Sequence, residues 1–446
     1  MKVFMLGWEF PPYISGGLGT ACYGLTRGLD AIGVEVVFVL PMALPQDAGS
    51  HVTFRTPAAL AERKPKRHDG RARTVAEEEA YRHMTVHMVP AVVQAYARPE
   101  TFASTVEEIE RRLHLKGESL PAGLPVGRVS SSADAAGGYA GDLMDQVHRY
   151  AMLAVDLARS ETFDVIHAHD WMTYPAGLAV AAYSGKPLVV HLHSTEFDRS
   201  GENVNQVVYD IERAGMHGAD RVICVSYLTR GVALSRYGVP AEKVEVVYNA
   251  VDLPAGPGPD TTPIARDEKI VLFLGRVTFQ KGPDYFLQAA RKVLDKYKKV
   301  RFVIAGSGDL IGPSVELAAK LRIGRYVTFT GFLCGDDVAK VFRMADLYVM
   351  PSVSEPFGIA PLEALSHNVP VIISKQSGVS EVLTHVLKVD FWDVDEMANK
   401  ILAVLRHPPL QRVLRQQGQI ELRKLSWRDS AERCKAIYAT LAGGAA

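Results

Sequence analysis

The sequence predicts an α/β protein built on parallel sheets and divided into two units. Short apolar runs of the buried kind alternate with amphipathic stretches along most of the chain, the rhythm of strands flanked by helices. That rhythm breaks at Leu253-Pro254-Ala255-Gly256-Pro257-Gly258-Pro259, where proline and glycine forbid a regular element, and resumes with a strand near Lys269. A length of 446 residues suits two or three domains of ordinary size.

The chain opens on the strand-like run Lys2-Val3-Phe4-Met5-Leu6. A helix follows, with Leu18, Ala21, Cys22, Leu25, Leu29 and Ile32 spaced to share one face. Further strands are expected at Val36 to Leu40, Asp164 to Ala168, Leu188 to His193 and Arg221 to Val225. After the break come Lys269 to Leu274, Arg301 to Ala305, Leu347 to Met350 and Val369 to Ile373. The expected division is 1–252, a linker over 253–268, a second unit over 269–425, and a final amphipathic helix within 426–446 that crosses back onto the first unit. Two irregular stretches, about 61–80 and 116–138, are expected as insertions in the first unit. The basic run Ala61 to Gly70 is either a contact for a polyanion or a solvated loop. No short fixed-period repeat is present.

Fifty lysines and arginines balance fifty aspartates and glutamates, so no net field recruits nucleic acid or an anionic membrane. Cys22, Cys224, Cys334 and Cys434 lie far apart, which argues against a disulfide framework or a cysteine zinc site and fits a reducing, cytoplasmic setting. No signal-like start and no apolar run of about 20 residues is found, so no integral membrane segment is expected.

Three clusters carry chemistry. Ser15-Gly16-Gly17-Leu18-Gly19 leads from the opening strand into the first helix, where glycine amides at a positive helix end suit a phosphate, although a tight turn needs glycine as well. It is not a GxGxxG dinucleotide fingerprint. Gly275-Arg276-Val277-Thr278-Phe279-Gln280-Lys281-Gly282 ends a strand, placing a guanidinium and an ammonium where an open sheet forms its ligand crevice. Both can grip a diphosphate and steady the charge on it as it leaves; otherwise they are two surface cations.

The third is Ser354-Glu355-Pro356-Phe357-Gly358-Ile359-Ala360-Pro361-Leu362-Glu363-Ala364. Proline is tolerated only in a first helical turn, so a helix is expected from near Phe357 or Gly358, with Glu355 in the loop before it and Glu363 about two turns along. Amides of Phe357, Gly358 and Ile359 then face phosphate, and each carboxylate can accept from sugar hydroxyls. A capping role for Glu355 is the plainer alternative. His167-Ala168-His169-Asp170-Trp171 and His191-Leu192-His193 end adjacent strands and are expected to converge on the lip of the first unit. Alternation puts the paired histidines on one strand face, which raises a metal, yet recognition of sugar hydroxyls accounts for the same groups and no metal is assigned.

Taken together, in this order, these motifs resemble the GT-B retaining glycosyltransferases of family 4, with a lean toward glycogen and starch synthases. The similarity runs from Trp8-Glu9-Phe10-Pro11-Pro12 through His169-Asp170-Trp171, Gly275-Arg276 to Lys281-Gly282, and Glu355 to Glu363, to Ser426-Trp427. The resemblance implies two Rossmann-like domains facing across a cleft and a UDP-, ADP- or GDP-hexose as donor substrate, with no cofactor. It implies that Arg276 and Lys281 hold the diphosphate, that Gly16 and Gly17 close on it, that Glu355 contacts the transferred sugar and Glu363 the ribose. His193 matches the histidine at the sugar's 6-hydroxyl and anomeric carbon, and Glu9 and Asp170 lie on the side of a carbohydrate acceptor. The expected reaction moves a hexosyl group, taken as glucosyl, with retention. Two departures, Ile14-Ser15 where glycogen synthases commonly carry lysine and Phe357 where bacterial members often carry cysteine, widen the expectation to other acceptors: a small sugar, a sugar phosphate or a lipid-linked glycan. A sugar-nucleotide epimerase and a non-catalytic nucleotide-sugar binder are the remaining alternatives.

Overall fold

A computed structural model describes residues 1–10, 16–41, 53–55, 84–88, 142–252, 268–333 and 335–443. The insertions expected at 61–80 and 116–138, residues 253–267 of the linker, Pro11-Pro12, Ile14-Ser15 and Cys334 lie outside the described residues.

Two parallel sheets organise the chain. The first holds β1 (Lys2–Leu6), β2 (Glu35–Leu40), β3 (Thr53–Arg55), β4 (Met84–Met88), β5 (Val165–His169), β6 (Leu188–Leu192), β7 (Arg221–Cys224) and β8 (Val244–Val246), in the order β3-β4-β2-β1-β5-β6-β7-β8. The second holds β9 (Lys269–Leu274), β10 (Val300–Ala305), β11 (Val327–Gly331), β12 (Leu347–Met350), β13 (Val371–Ser374) and β14 (Leu387–Val389), in the order β11-β10-β9-β12-β13-β14. In each sheet the strand order switches sides, between β1 and β5 and between β9 and β12, and an open parallel sheet binds ligands outside the strand ends at such a switch.

Both faces of each sheet are covered, which is why the central strands read as continuous apolar runs. In the first sheet Phe4, Leu6, Ile166, Ala168, Val190 and Leu192 pack on one side. Their neighbours Val3, Met5, Val165 and Val189 pack on the other, beneath the Gly17–Ala31 and Trp427–Ala442 helices. On the Gly17–Ala31 helix Ala21, Cys22, Leu25 and Leu29 are buried, while Ile32 caps its end.

The Trp427–Ala442 helix lies on the first sheet although it follows the second in sequence. A Cβ on Gly24 would stand 2.0 Å from the Trp427 ring and one on Gly28 2.4 Å from the Trp427 carbonyl oxygen, so glycine alone lets the two helices approach this closely. Ser430 Oγ donates to Tyr248 O at 2.7 Å and Lys435 Nζ to Ile32 O at 3.1 Å, fixing the helix in register.

Candidate active site

The residues expected at the second sheet's crevice come together. Gly275, at φ +154, turns the chain out of β9, and the short Phe279–Lys281 helical turn then ends at Gly282 with φ +65. A Cβ on Gly282 would lie 2.3 Å from the carbonyl oxygen of Pro351, just beyond β12. That close approach brings Lys281 against the 351–355 loop: its Nζ donates to Glu355 Oε2 at 2.6 Å, and Ser352 Oγ donates to the same oxygen at 3.1 Å. Arg276 Nη2 donates to Gln280 Oε1 at 3.2 Å. Two cations therefore stand at one strand end and an acid at the next.

The helix after Glu355 begins later than the sequence indicated. Gly358 takes φ +102, a left-handed turn that uses up residues 357 and 358, so the helix spans Ala360–Ser366 with Ile359 as its cap. Glu363 accordingly sits in the first turn and not two turns along. Phe357 points its ring into the core at 2 % exposure, leaving only its backbone for a ligand. The amides of Phe357, Gly358 and Ile359 have no acceptor among the described residues. Burial raises the Glu363 carboxyl to about 7. It lines a cleft of about 360 Å³ between the sheets, with Thr20, Tyr23, Asp252, Ile359 and Trp427.

Across the cleft, Gly16 and Gly17 begin the first helix with open space around them: an added Cβ would meet no described atom within 4 Å. Glycine here is not demanded by packing, in contrast to Gly282. Glu9 follows β1 and is half-buried, close enough to Cys22 to help push up that thiol, which is raised chiefly by burial. Asp170, at φ +58, accepts the backbone amides of His193 at 2.7 Å and Ser194 at 3.3 Å through one oxygen. Burial raises its carboxyl to about 7 against the opposing pull of Arg199.

Of the polar side chains expected to converge on the lip, three of the four histidines do not reach it. His167 and His169 are fully buried and His191 is 1 % exposed, because the helices at 17–31 and 427–442 cover this face of the sheet. Sugar hydroxyls cannot reach them. Only His193, half-buried, stands at the strand end, with its Nε2 2.9 Å from Nδ1 of His169. Burial holds the His193 imidazole down at about 3, hence neutral.

The sequence of each half matches a known family. Residues 142–254 match the model for "Glycosyltransferase Family 4" and residues 259–421 the model for "Glycosyl transferases group 1". A D-inositol 3-phosphate glycosyltransferase of Catenulispora acidiphila is 30% identical over 308 residues, 62% of this chain and 72% of the relative. The chain belongs to the family 4 glycosyltransferases. An uncharacterized glycosyltransferase of Methanocaldococcus jannaschii is 29% identical over 86% of this chain and 83% of its own length. The glycogen synthase of Mycobacterium tuberculosis is 24% identical over 98% and 94%. Among solved structures, the sucrose-phosphate synthase of Thermosynechococcus elongatus superposes with a TM-score of 0.70 at 18% identity, covering both chains fully. Anabaena HepE, solved in complex with UDP-glucose, gives 0.66 at 16% identity over 99% of this chain and all of its own. These two likenesses establish the two-domain GT-B fold.

Sequence reasoning missed the side chains by which this glycosyltransferase ties its two sheets together around Glu355. Ser354 Oγ donates to Asp198 at 2.5 Å. Ser226 Oγ and Thr229 Oγ1 donate to the Pro356 carbonyl at 2.6 and 3.2 Å. Glu381 accepts the amides of Tyr227 and Leu228, at 2.9 and 2.8 Å, and the Tyr248 hydroxyl at 3.0 Å. The missed signal was local: Ser226 is a helix cap in sequence, and Ser354 immediately precedes the glutamate. A second missed group is the salt-bridged set Arg199, Glu196 and Glu212, with Tyr237, which anchors the segment that follows His193.

Proposed function

We propose that this glycosyltransferase moves a hexosyl group, glucosyl in the first instance, from a nucleoside diphosphate sugar to a carbohydrate hydroxyl with retention of configuration. The observation that carries the reading is the placement of opposed groups at the two switches of strand order: Arg276, Lys281, Glu355 and Glu363 on one, Glu9, Gly16, Gly17, Asp170 and His193 on the other. The UDP-glucose bound in the Anabaena structure and the glycogen synthase activity of the mycobacterial relative support the same donor class.

In this reading Arg276 and Lys281 hold the diphosphate, and the amides of Gly358 and Ile359 approach it from one lobe while those of Gly16 and Gly17 approach from the other. Glu355, held by Lys281 and Ser352, accepts a hydroxyl of the transferred sugar, and Glu363 accepts the ribose hydroxyls in the adjoining cleft. As the anomeric bond breaks, negative charge gathers on the leaving diphosphate, where the two cations are already placed and need no reorganisation. The diphosphate oxygen takes the acceptor's proton on the face it leaves, which gives retention. His193, kept neutral, offers its imidazole to the sugar and its carbonyl to the anomeric carbon. Asp170 orients that segment through the His193 amide. The inter-lobe bonds at Ser226 and Ser354 hold the loop that carries Glu355 against the first unit. The reading invokes no resident cofactor.

The 30% identical relative named for an inositol phosphate acceptor supports a second reading, a small phosphorylated acceptor in place of a glucan. The test is incubation of purified protein with UDP-, ADP- and GDP-glucose and either a glucan primer or small sugar phosphates. Formation of an α-linked product, read by the anomeric proton coupling, is expected with one donor. Neither binding nor turnover of any of the three overturns the proposal.

A further inference from the structure

We propose that His167, His169 and His191 form a buried site for a zinc-class divalent cation, set beneath the Trp427–Ala442 helix and behind the donor crevice, which it meets through His193. One ligand nitrogen from each of the three rings can be chosen so that all lie within 4.8 Å of one another. A tetrahedral zinc with Zn–N near 2.1 Å spaces its nitrogens roughly 3.4 Å apart. Taking up an ion therefore draws the nitrogens inward and turns the rings, which now lie at 6° to 30° to one another, until their in-plane lone pairs converge.

The pattern of made and unmade hydrogen bonds is the second observation. His167 Nδ1 lies 2.7 Å from the Tyr438 hydroxyl, and His169 Nδ1 lies 2.9 Å from His193 Nε2. In each ring the other nitrogen, Nε2, has no partner among the described residues, and neither nitrogen of His191 has one. Buried polar atoms are normally satisfied, and a cluster of unsatisfied ones points to an ion or ordered water. A ligating imidazole usually donates its second ring N–H to a fixed acceptor, which sets the tautomer and aims the lone pair at the metal. Tyr438 Oη and His193 Nε2 are placed as those acceptors.

Imidazole sets of this kind take zinc, copper, iron or nickel in preference to magnesium or calcium. Register places the three rings together: His169 pairs directly with His191 across β5 and β6, and His167 stands two residues earlier on the same face of β5. Since Tyr438 comes from the C-terminal helix, an ion here clips that helix to the first sheet.

The experiment uses the full chain, expressed in zinc-supplemented medium, dialysed, and assayed for metal by plasma mass spectrometry. About one equivalent per chain is expected. Replacement by cobalt(II) should give a visible ligand-field band that zinc displaces. His191→Leu should lose both the metal and the band, while the half-exposed control His217→Asn keeps both. If His191→Leu does not fold, the cobalt band of the wild-type chain and its displacement by zinc decide the question. Metal below about a tenth of an equivalent, with no cobalt band and no zinc-dependent rise in melting temperature, overturns the proposal and assigns the cluster to ordered water. Neither outcome depends on transferase activity, so it stands or falls apart from the donor assignment.

Discussion

Lys281 and Glu355, 74 residues apart in sequence, meet at 2.6 Å because Gly282 lets the end of β9 close on the loop that follows β12. The ammonium keeps two donors for a diphosphate while its third fixes the carboxylate, so the cation and the acid are set by one contact.

The first prediction concerns that acid. Glu355→Ala should lower the transfer rate by about 10²–10³, the loss typical of removing one preorganised transition-state contact, while far-UV circular dichroism stays unchanged. A rate near that of the wild type would remove Glu355 from the reaction.

Two kinds of glycine should separate cleanly. Gly282→Ala places a Cβ at φ +65 and 2.3 Å from a carbonyl oxygen, and should cost about 1–3 kcal/mol in chemical denaturation along with donor binding. Gly16→Ala and Gly17→Ala face open space and should leave the denaturation midpoint within about 0.5 kcal/mol of the wild type, yet weaken donor binding by blocking the approach of phosphate.

Glu363 gives a pH dependence. Its carboxyl is raised from 4.5 to about 7, so the folded chain holds a proton that the unfolded chain releases between those values. Its contribution to stability therefore falls as pH rises from 4.5 to about 7 and is constant above that. Ribose hydroxyls favour the ionised acceptor, so nucleotide affinity should weaken as pH drops through about 7. Titration calorimetry from pH 6 to 8 should show this slope, and Glu363→Gln should flatten it.

Ser226 joins the lobes and caps its own helix, accepting Thr229 N at 3.0 Å and donating to Pro356 O at 2.6 Å. Ser226→Ala should cost about 0.5–2 kcal/mol for the cap and raise the KM for donor, because the loop carrying Glu355 loses its tie. An unchanged KM with lowered stability would confine Ser226 to capping.

The central strands were plain in the sequence because both their faces are buried: β1, β2, β9 and β12 are apolar apart from a leading lysine or glutamate, and β5, β6 and β10 keep an apolar majority around His167, His169, His191 and Arg301. The edge strands were not. Val244–Val246, Val327–Gly331 and Leu387–Val389 are short and partly exposed, so Glu245, Thr330 and Lys388 dilute the apolar signal. Alternation correctly put His167 with His169 and His191 with His193, since side-chain direction is a local property. Their depth was hidden, being set by two helices distant in sequence, one at 17–31 and one at 427–442. Likewise Pro361 marked the first helical turn, but the left-handed Gly358 that delays the helix to Ala360 depends on packing against Met350 and Glu355.

The return of the Trp427–Ala442 helix also bears on how this molecule can be divided. A fragment ending at the linker would lack the indole that fills the furrow between Gly24 and Gly28, and would strip Tyr438 from His167. The complementary fragment would carry the same helix with its apolar stripe bare. Cut in the linker, the two pieces hold each other's missing surface, so co-expressed halves should reassemble where either alone precipitates: the last sixteen-residue helix acts as a built-in clasp.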